Sequence, residues 1–220
     1  MRAGVQMNYN QKAYNQRYKY NIQVSVFADI YSRLTEGFGE MPVVIGGRAV
    51  NILCFNETRF THDVDVVLSK DPSERKENLE KENFMIKRNE RGKIVGAEDL
   101  KDHSYDPITL DFYYSRPING ITIKEILKNV EEVNVAHTKV LVPKPPIMLM
   151  LKYDAGRPKD IRDFELILRN FYGGKKESLF ENEKKLFDEL LENHKGDKKG
   201  MNRLLSEYYY YNQAKSQLRK

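Results

Sequence analysis

Residues 43–68 of the chain, VVIGGRAVNILCFNETRFTHDVDVVL, decide the fold class. The apolar run before Gly46-Gly47 predicts a short strand, and the pattern at 49–55 predicts the start of a helix. The run of β-branched residues at 63–68 predicts the next strand. This alternation of strands and helices excludes an all-α or all-β fold and favours a mixed α/β fold.

Two aspartates, Asp63 and Asp65, alternate with valines in the second of these strands. Side chains alternate between the two faces of a strand, so both carboxylates lie on one face. They repel each other there, and burying charged carboxylates is costly. A bound Mg²⁺ would resolve this conflict because it takes oxygen ligands. The alternative is that both acids lie at a solvent-facing strand end or pair with Arg59 or Lys70.

The glycine pair lies where the first strand meets the helix. Backbone amides at such a turn can approach and bind phosphate oxygens, and a Cβ would block that approach. Arg59 lies shortly before the acidic pair and could reach a triphosphate. The alternative interpretation of Gly46-Gly47 is a plain tight turn.

Together, Gly46-Gly47, a helix and Arg59-x-Thr61-x-Asp63-x-Asp65 resemble the signature of the DNA-polymerase-β-like nucleotidyltransferase superfamily. The Arg-x-Thr-x-Asp-x-Asp form is similar to the abortive-infection (AbiEii-like) toxins. The resemblance implies a short mixed β-sheet core flanked by helices, a nucleoside triphosphate such as ATP or GTP as substrate, and Mg²⁺ (or Mn²⁺) as cofactor. The chain departs from the usual pattern at Arg48, which is either an extra phosphate ligand or a surface residue.

The resemblance also implies a third carboxylate on a neighbouring strand. Asp111 is the candidate, since it is the lone acid in the apolar and aromatic run PITLDFYYS. By resemblance it completes the metal ligand set and acts as general base toward the acceptor hydroxyl. The alternative is an acid at the exposed end of an edge strand.

A later block, KYDAGRPKDIRD at 152–163, resembles the superfamily motif of a Lys followed by Arg-x-Lys-Asp-x-x-Asp. The resemblance implies that Lys152 stabilises charge on the departing pyrophosphate, together with Arg157 or Lys159. The residues alone leave an alternative open, in which Asp160 caps a helix and Lys159 forms an i,i+4 surface pair with Asp163.

These interpretations define a complete predicted site. The predicted metal ligands are Asp63, Asp65 and Asp111, and the predicted catalytic residues are these three with Lys152. The predicted nucleotide-binding residues are Gly46, Gly47, Arg48, Arg59, Thr61, Arg157, Lys159, Asp160 and Asp163.

Composition narrows the class of protein and its compartment. The longest apolar run, 147–151, is far too short to span a bilayer, and the first twenty residues lack an apolar signal segment. The single cysteine, Cys54, lies in an apolar run and is interpreted as a buried residue. The four histidines have no ligand-type spacing, which argues against zinc. We therefore expect a cytoplasmic protein.

Three regions are predicted. Residues 1–20 form a basic, Tyr-rich segment that suits RNA or nucleotide phosphates, or else is a solvated tail. Residues 21–142 form the catalytic core, and residues 143–220 form a helical C-terminal region after the PKPP sequence. Predicted helices are 21–37, 74–83, 147–155, 159–170, 181–193 and 201–214. Predicted strands are 42–45, 63–68, 84–87, 93–97, 109–114, 132–136 and 139–142. The strands at 84–87 and 93–97 are expected to form a hairpin around Arg91-Gly92, and those at 132–136 and 139–142 are expected to be edge strands.

The predicted function is transfer of a nucleoside monophosphate to a hydroxyl of RNA, tRNA or a protein. The enzyme is then a toxin of a toxin–antitoxin pair, with an antitoxin as partner. Two alternatives stay open: a catalytically silent nucleotide-binding or regulatory protein on the same fold, and an RNA-binding module whose acids are structural.

Overall fold

A computed structural model describes residues 24–54, 61, 63–101, 107–172, 185, 186, 189, 190 and 192. The segment 1–20, Arg59 and the predicted helix at 201–214 lie outside the described residues. The predicted helix at 181–193 is described only at its five residues named above, all of them helical.

The described residues form helices and strands in alternation. The helices are α1 (Val24–Phe38), α2 (Gly46–Leu53), α3 (Lys76–Lys81), α4 (Ile123–Lys128), α5 (Pro145–Ala155) and α6 (Pro158–Ile167). A 3₁₀ turn (Pro72–Arg75) precedes α3, and a π-helical turn (Leu168–Tyr172) follows α6. The strands are β1 (Val43–Ile45), β2 (Asp63–Val67), β3 (Phe84–Arg88), β4 (Ile94–Asp99), β5 (Thr109–Tyr113), β6 (Val130–Val135) and β7 (Thr138–Pro143).

The strands form one seven-stranded sheet in the order β3-β4-β5-β2-β1-β7-β6. β2 pairs in parallel with β5 and β1 in parallel with β7, while the other neighbours are antiparallel. The sheet is therefore mixed, and the predicted α/β class with a short mixed sheet is confirmed. The predicted strand at 139–142 is not an edge strand, because β7 lies between β1 and β6.

Helix α1 closes one face of the sheet with an apolar stripe. Phe27, Ile30, Tyr31 and Leu34 recur at helical spacing and are at most 1% exposed. The Tyr31 hydroxyl donates to the Pro42 carbonyl oxygen at 2.8 Å and accepts from the Leu141 amide at 3.1 Å. This side chain therefore ties the helix to β7 and to the residue just before β1.

Two helices differ from the prediction. Helix α2 begins at Gly46 rather than Ala49, so the chain turns from strand to helix at the glycine itself, whose φ is +68°. Helix α4 was not predicted because six residues are too few for clear periodicity. It is fixed by a capping box in which Thr122 and Glu125 satisfy each other's backbone amides.

Helices α5 and α6 form a corner that packs against α2. Residues 145–152 of α5 are all buried, and Gly156 ends the helix in the left-handed conformation, with φ at +61°. Pro158 then begins α6 at a position where its missing amide has no cost. The corner brings Lys152 on α5 close to the first two turns of α6. Among the described residues, every helix is too short or too polar to pass through a lipid bilayer.

Candidate active site

Three carboxylates lie on one face of the sheet at its centre. In the parallel register of β2 with β5, Asp63 is opposite Thr109 and Asp65 is opposite Asp111. Both strands alternate between partly exposed and buried residues, so the aspartates share the open face while the valines and leucines lie in the core. Neighbouring strands are about 4.8 Å apart, so Asp65 and Asp111 are close cross-strand neighbours. The structure thus places the three predicted metal ligands on the same face of neighbouring strands.

Asp65 lies against the start of α2. An ideal Cβ built on Gly46 would be 1.9 Å from Asp65 Oδ2, so this position requires glycine for space as well as for its positive φ. The Tyr113 hydroxyl donates to Asp65 Oδ1 at 3.1 Å. Asp65 is therefore held between the glycine corner and a tyrosine of the neighbouring strand.

The three carboxylates place closely spaced negative charges on this face of the sheet. Burial raises the pKa of Asp65 to about 6, and repulsion from Asp63 and Asp111 adds to that rise. Burial and repulsion from Asp63 also raise the pKa of Asp111, while the positive charge of Lys87 opposes the change. Burial and the nearby carboxylates raise the pKa of Tyr113, so the Tyr113 hydroxyl stays protonated and can donate to Asp65.

Asp63 has a hydroxyl neighbour from the chain just before β2. Thr61 is 5% exposed, and its Oγ1 donates to Asp63 Oδ1. Arg48, on α2, is also buried and its guanidinium lies over the Phe27 ring at 5.2 Å. Burial lowers the pKa of Arg48 to about 10, and the negative charge of Asp63 opposes that change. Arg48 is therefore not a surface residue, and its positive charge acts on Asp63.

Lys152 joins two buried acids of α6. Its Nζ lies 2.8 Å from Asp163 Oδ2 and 3.2 Å from Asp160 Oδ1, and all three side chains are at most 5% exposed. The alternative of a surface pair between Lys159 and Asp163 is thus wrong, because Asp163 is buried beside Lys152 and Lys159 is exposed. The positive charge of Lys152 also opposes the rise in the pKa of Asp65.

Arg157 stands at the outer side of this cluster. Its Nε donates to Asp160 Oδ2, and its side chain is 59% exposed. Burial alone would raise the pKa of Asp160, but the contacts with Arg157 and Lys152 hold it below its usual value. The hydrogen bond to Asp160 raises the pKa of Arg157, and the negative charge of Asp65 adds to that rise. Arg157 is therefore a cation with an exposed surface beside the site.

The carboxylate face fits a hard divalent cation by its chemistry. Three carboxylates share one face, and a cation would relieve the repulsion that raises the pKa of Asp65 and Asp111. Within the described residues, however, no three His, Cys, Asp or Glu side chains are already gathered closely enough to hold a metal ion. The ligand set would need side-chain rotation, and the magnesium requirement stays a prediction.

The site also includes residues that the sequence interpretation did not assign. The period of two in β5 places Tyr113 on the same face as Asp111, but its contact with Asp65 requires the parallel pairing of β2 with β5. Lys87, on β3, comes near Asp111 only through the pairing of three strands. No local signal reveals either contact.

Comparisons with known proteins agree with a transferase of nucleotidyl groups. A family model described as "Nucleotidyl transferase of unknown function (DUF2204)" matches residues 25–206. No curated protein matches the chain significantly.

Several solved structures are similar to this one. One is an antigenic nucleotidyltransferase-like protein from Paracoccidioides brasiliensis, with 15% identity and a TM-score of 0.49, covering 77% of this chain and 91% of that chain. A second is the antibiotic-resistance factor ANT(2'')-Ia, with 17% identity and a TM-score of 0.45, covering 76% and 94%. A third is the lincosamide antibiotic adenylyltransferase LnuA with bound lincomycin, with 15% identity and a TM-score of 0.45, covering 63% and 94%.

Proposed function

The chain belongs to the nucleotidyl transferase family whose model matches residues 25–206, and on that premise we propose that it is a magnesium-dependent enzyme. It transfers a nucleoside monophosphate from a nucleoside triphosphate to a hydroxyl acceptor. The observation that carries this proposal is the direct pairing of Asp65 with Asp111, beside Asp63 on the same face.

In the proposed reaction the acceptor oxygen forms a bond to the α-phosphorus, and the bond from that phosphorus to pyrophosphate breaks. Asp111 accepts the proton from the acceptor hydroxyl. Asp63, Asp65 and Asp111 would hold Mg²⁺ or Mn²⁺, which when bound neutralises phosphate charge and polarises the α-phosphate.

Residues at the start of α2 and at the corner between α5 and α6 hold the triphosphate. Gly46 and Gly47 begin α2 without side chains, and in this proposal their backbone amides bind phosphate oxygens. Lys152 provides a fixed positive charge near Asp65, and the exposed guanidinium of Arg157 contacts the departing pyrophosphate. The further nucleotide-binding assignments, which are Arg48, Arg59, Thr61, Lys159, Asp160 and Asp163, are part of this proposal on the strength of the sequence alone.

The proposed acceptor is RNA, tRNA or a protein hydroxyl, and the proposed role is that of an abortive-infection toxin with an antitoxin partner. This finer assignment is supported by the Arg-x-Thr-x-Asp-x-Asp motif at 59–65. A catalytically silent nucleotide-binding protein is the second candidate. It is favoured by one observation, which is that the described carboxylates are not gathered into a ready metal site.

The experiment is incorporation of label from each of the four α-³²P nucleoside triphosphates, with Mg²⁺ and either total RNA or cell lysate. We expect incorporation with the wild-type protein, loss in Asp65→Asn and no loss in Asp71→Asn, whose carboxylate is exposed and caps the 3₁₀ turn before α3. Triphosphate binding without incorporation would favour the silent protein. RNA binding without any affinity for triphosphates would favour the RNA-binding module.

A further inference from the structure

The open face of the sheet continues beyond Asp111 onto the two outer strands. Asp111 is opposite Gly96 on β4, and Lys87 on β3 is also opposite Gly96. Paired residues on neighbouring strands point to the same face, so Asp65, Asp111, Gly96 and Lys87 form one row across four strands. Lys87 is thus the next side chain in the row after Asp111, because Gly96 has none.

The Lys87 side chain extends over β4 toward β5. Its Nζ lies 3.4 Å from the Oγ1 of Thr109, which is two residues before Asp111 on β5. It also lies 3.6 Å from Glu98 Oε2, but these two side chains are 37% and 21% exposed, so solvent weakens that pair. The charge of Lys87 is therefore both open to solvent and close enough to act on Asp111.

The turn that follows Lys87 is strongly basic. Residues 87–93, KRNERGK, contain four cations and one acid, which gives 4 − 1 = +3. Arg88, Arg91 and Lys93 are exposed on this turn. Asn89 Oδ1 accepts from the backbone amides of Arg91 and Lys93, at 3.0 and 3.1 Å, so the turn is ordered. An ordered loop with three exposed cations at the edge of the catalytic face suits a polyanion.

We propose that the β3–β4 hairpin binds the phosphates of a single-stranded RNA acceptor, with Lys87 as the contact nearest Asp111. This inference rests on the proposed function, since it names the acceptor of that reaction. Phosphates held on the turn at 88–93 bring the strand end along the row toward Asp111. A small uncharged acceptor would gain no electrostatic attraction from three exposed cations beside the row.

The test is binding of a fluorescein-labelled single-stranded RNA of about 20 nucleotides, which exceeds the site sizes usual for single-strand-binding folds. Fluorescence anisotropy is measured without triphosphate or Mg²⁺, from about 50 to about 200 mM KCl. The variant is Arg88→Gln/Arg91→Gln/Lys93→Gln. Its matched control is Lys124→Gln/Lys128→Gln/Lys139→Gln, which removes three exposed cations of α4 and β7, outside the β3–β4 hairpin.

The hairpin variant is expected to bind RNA at least about 10-fold more weakly, with a salt slope smaller by about 2, because three phosphate contacts are lost. The control is expected to match the wild type. Arg91→Gln/Lys93→Gln is a second variant, which keeps the contact from Arg88 Nη1 to the Gly92 carbonyl oxygen and guards against misfolding of the turn. Equal losses in the hairpin variant and the control would overturn the proposal, as would wild-type protein that binds no RNA.

A second measurement separates this inference from the proposed reaction. In the incorporation assay, Lys87→Met is expected to raise the KM for the RNA oligonucleotide while leaving the KM for the triphosphate unchanged. A rise in the triphosphate KM instead would overturn the assignment of Lys87 to the acceptor. Hairpin-dependent RNA binding with no incorporation under any condition would overturn the proposed reaction and leave the hairpin as an RNA-binding site.

Discussion

Asp65 on β2 lies directly opposite Asp111 on β5, across two parallel strands at the centre of the sheet. Asp63 is on the same face, two residues before Asp65, so three carboxylates share a small surface. Burial and mutual repulsion raise the pKa of both Asp65 and Asp111. In the metal-free protein these negative charges are therefore unfavourable. The free energy of unfolding should depend on whether the carboxylates are protonated.

Asp65→Asn should stabilise the metal-free protein at pH 7 to 8. The pKa of Asp65 is raised from 3.8 to about 6 on folding, so the folded state binds more protons than the unfolded state between these values. Stability of the wild type consequently falls as pH rises through this window. The substitution removes that loss of stability. We expect it to raise the free energy of unfolding by about 2–3 kcal/mol above pH 6 and to leave it unchanged below about pH 4. The measurement is chemical denaturation in EDTA at several pH values.

Asp71→Asn is the matched control for this prediction, with the opposite sign. Hydrogen bonds from the Ser73 hydroxyl and amide lower the pKa of Asp71, so its carboxylate stabilises the fold above its unfolded pKa and loses that effect as pH falls. We expect Asp71→Asn to destabilise the protein at pH 7. A stability gap for Asp65→Asn that stays constant from pH 4 to 8 would contradict the assigned cause.

Gly46→Ala should damage both stability and activity. The new Cβ would lie 1.9 Å from Asp65 Oδ2, and the backbone has φ at +68°, so the carboxylate must move. Gly39→Ala is the control, since Gly39 also has φ at +68° but its Cβ position has no neighbour closer than the end of the Arg75 side chain, at 3.6 Å. Both variants share a backbone cost of about 1–2 kcal/mol.

The difference between the two glycine variants isolates the contact with Asp65. We expect Gly46→Ala to unfold at a lower denaturant concentration than Gly39→Ala and to lose nucleotidyl transfer at least about 10-fold, or ~1.4 kcal/mol of transition-state stabilisation. Gly39→Ala should keep its activity. Equal activities would show that the position of Asp65 does not depend on the space at Gly46.

The sequence alone predicts those features of the fold and the site that depend on residues close together in the chain. The period of two in DVDVV places Asp63 and Asp65 on one face, and the structure agrees. The turn residues Arg91 and Gly92 correctly predict the β3–β4 hairpin. Cys54 was expected to be buried and is 1% exposed. These features depend on neighbouring residues in the chain, which is why a pattern can predict them.

The non-local part could not be predicted from spacing. Asp111 was assigned by family resemblance, because nothing local encodes the parallel pairing of β2 with β5. Gly46 was expected to make room for a phosphate, and the structure shows that it also makes room for Asp65. Lys152 and Asp160 are eight residues apart and meet only because the chain turns at Gly156, whereas the helical spacing rule considers pairs three or four apart.

Arg33 should be essential for the fold although it is remote in sequence from the acidic pair. Its guanidinium makes a bidentate contact with the buried Asp99, at 2.7 and 2.9 Å, and ties α1 to β4. Arg33→Met leaves Asp99 buried without this partner, so we expect a loss of about 3–5 kcal/mol in the free energy of unfolding. Lys101→Met is the control, because its pair with Asp29 is exposed and contributes at most about 1 kcal/mol. Similar losses in both variants would rule out the buried pair as the cause.

Lys152 should have separable effects on stability and on activity. Lys152→Met leaves Asp160 and Asp163 buried together, so we expect a loss of about 3–5 kcal/mol in unfolding free energy. Lys152→Met/Asp160→Asn/Asp163→Asn should regain most of that stability, because it removes the buried charges together. It should still transfer nucleotides poorly, since no positive charge then acts on Asp65 from α5. Lys159→Met, at an exposed position, should change stability by less than about 0.5 kcal/mol. If the triple variant regained full activity, Lys152 would be a structural residue only.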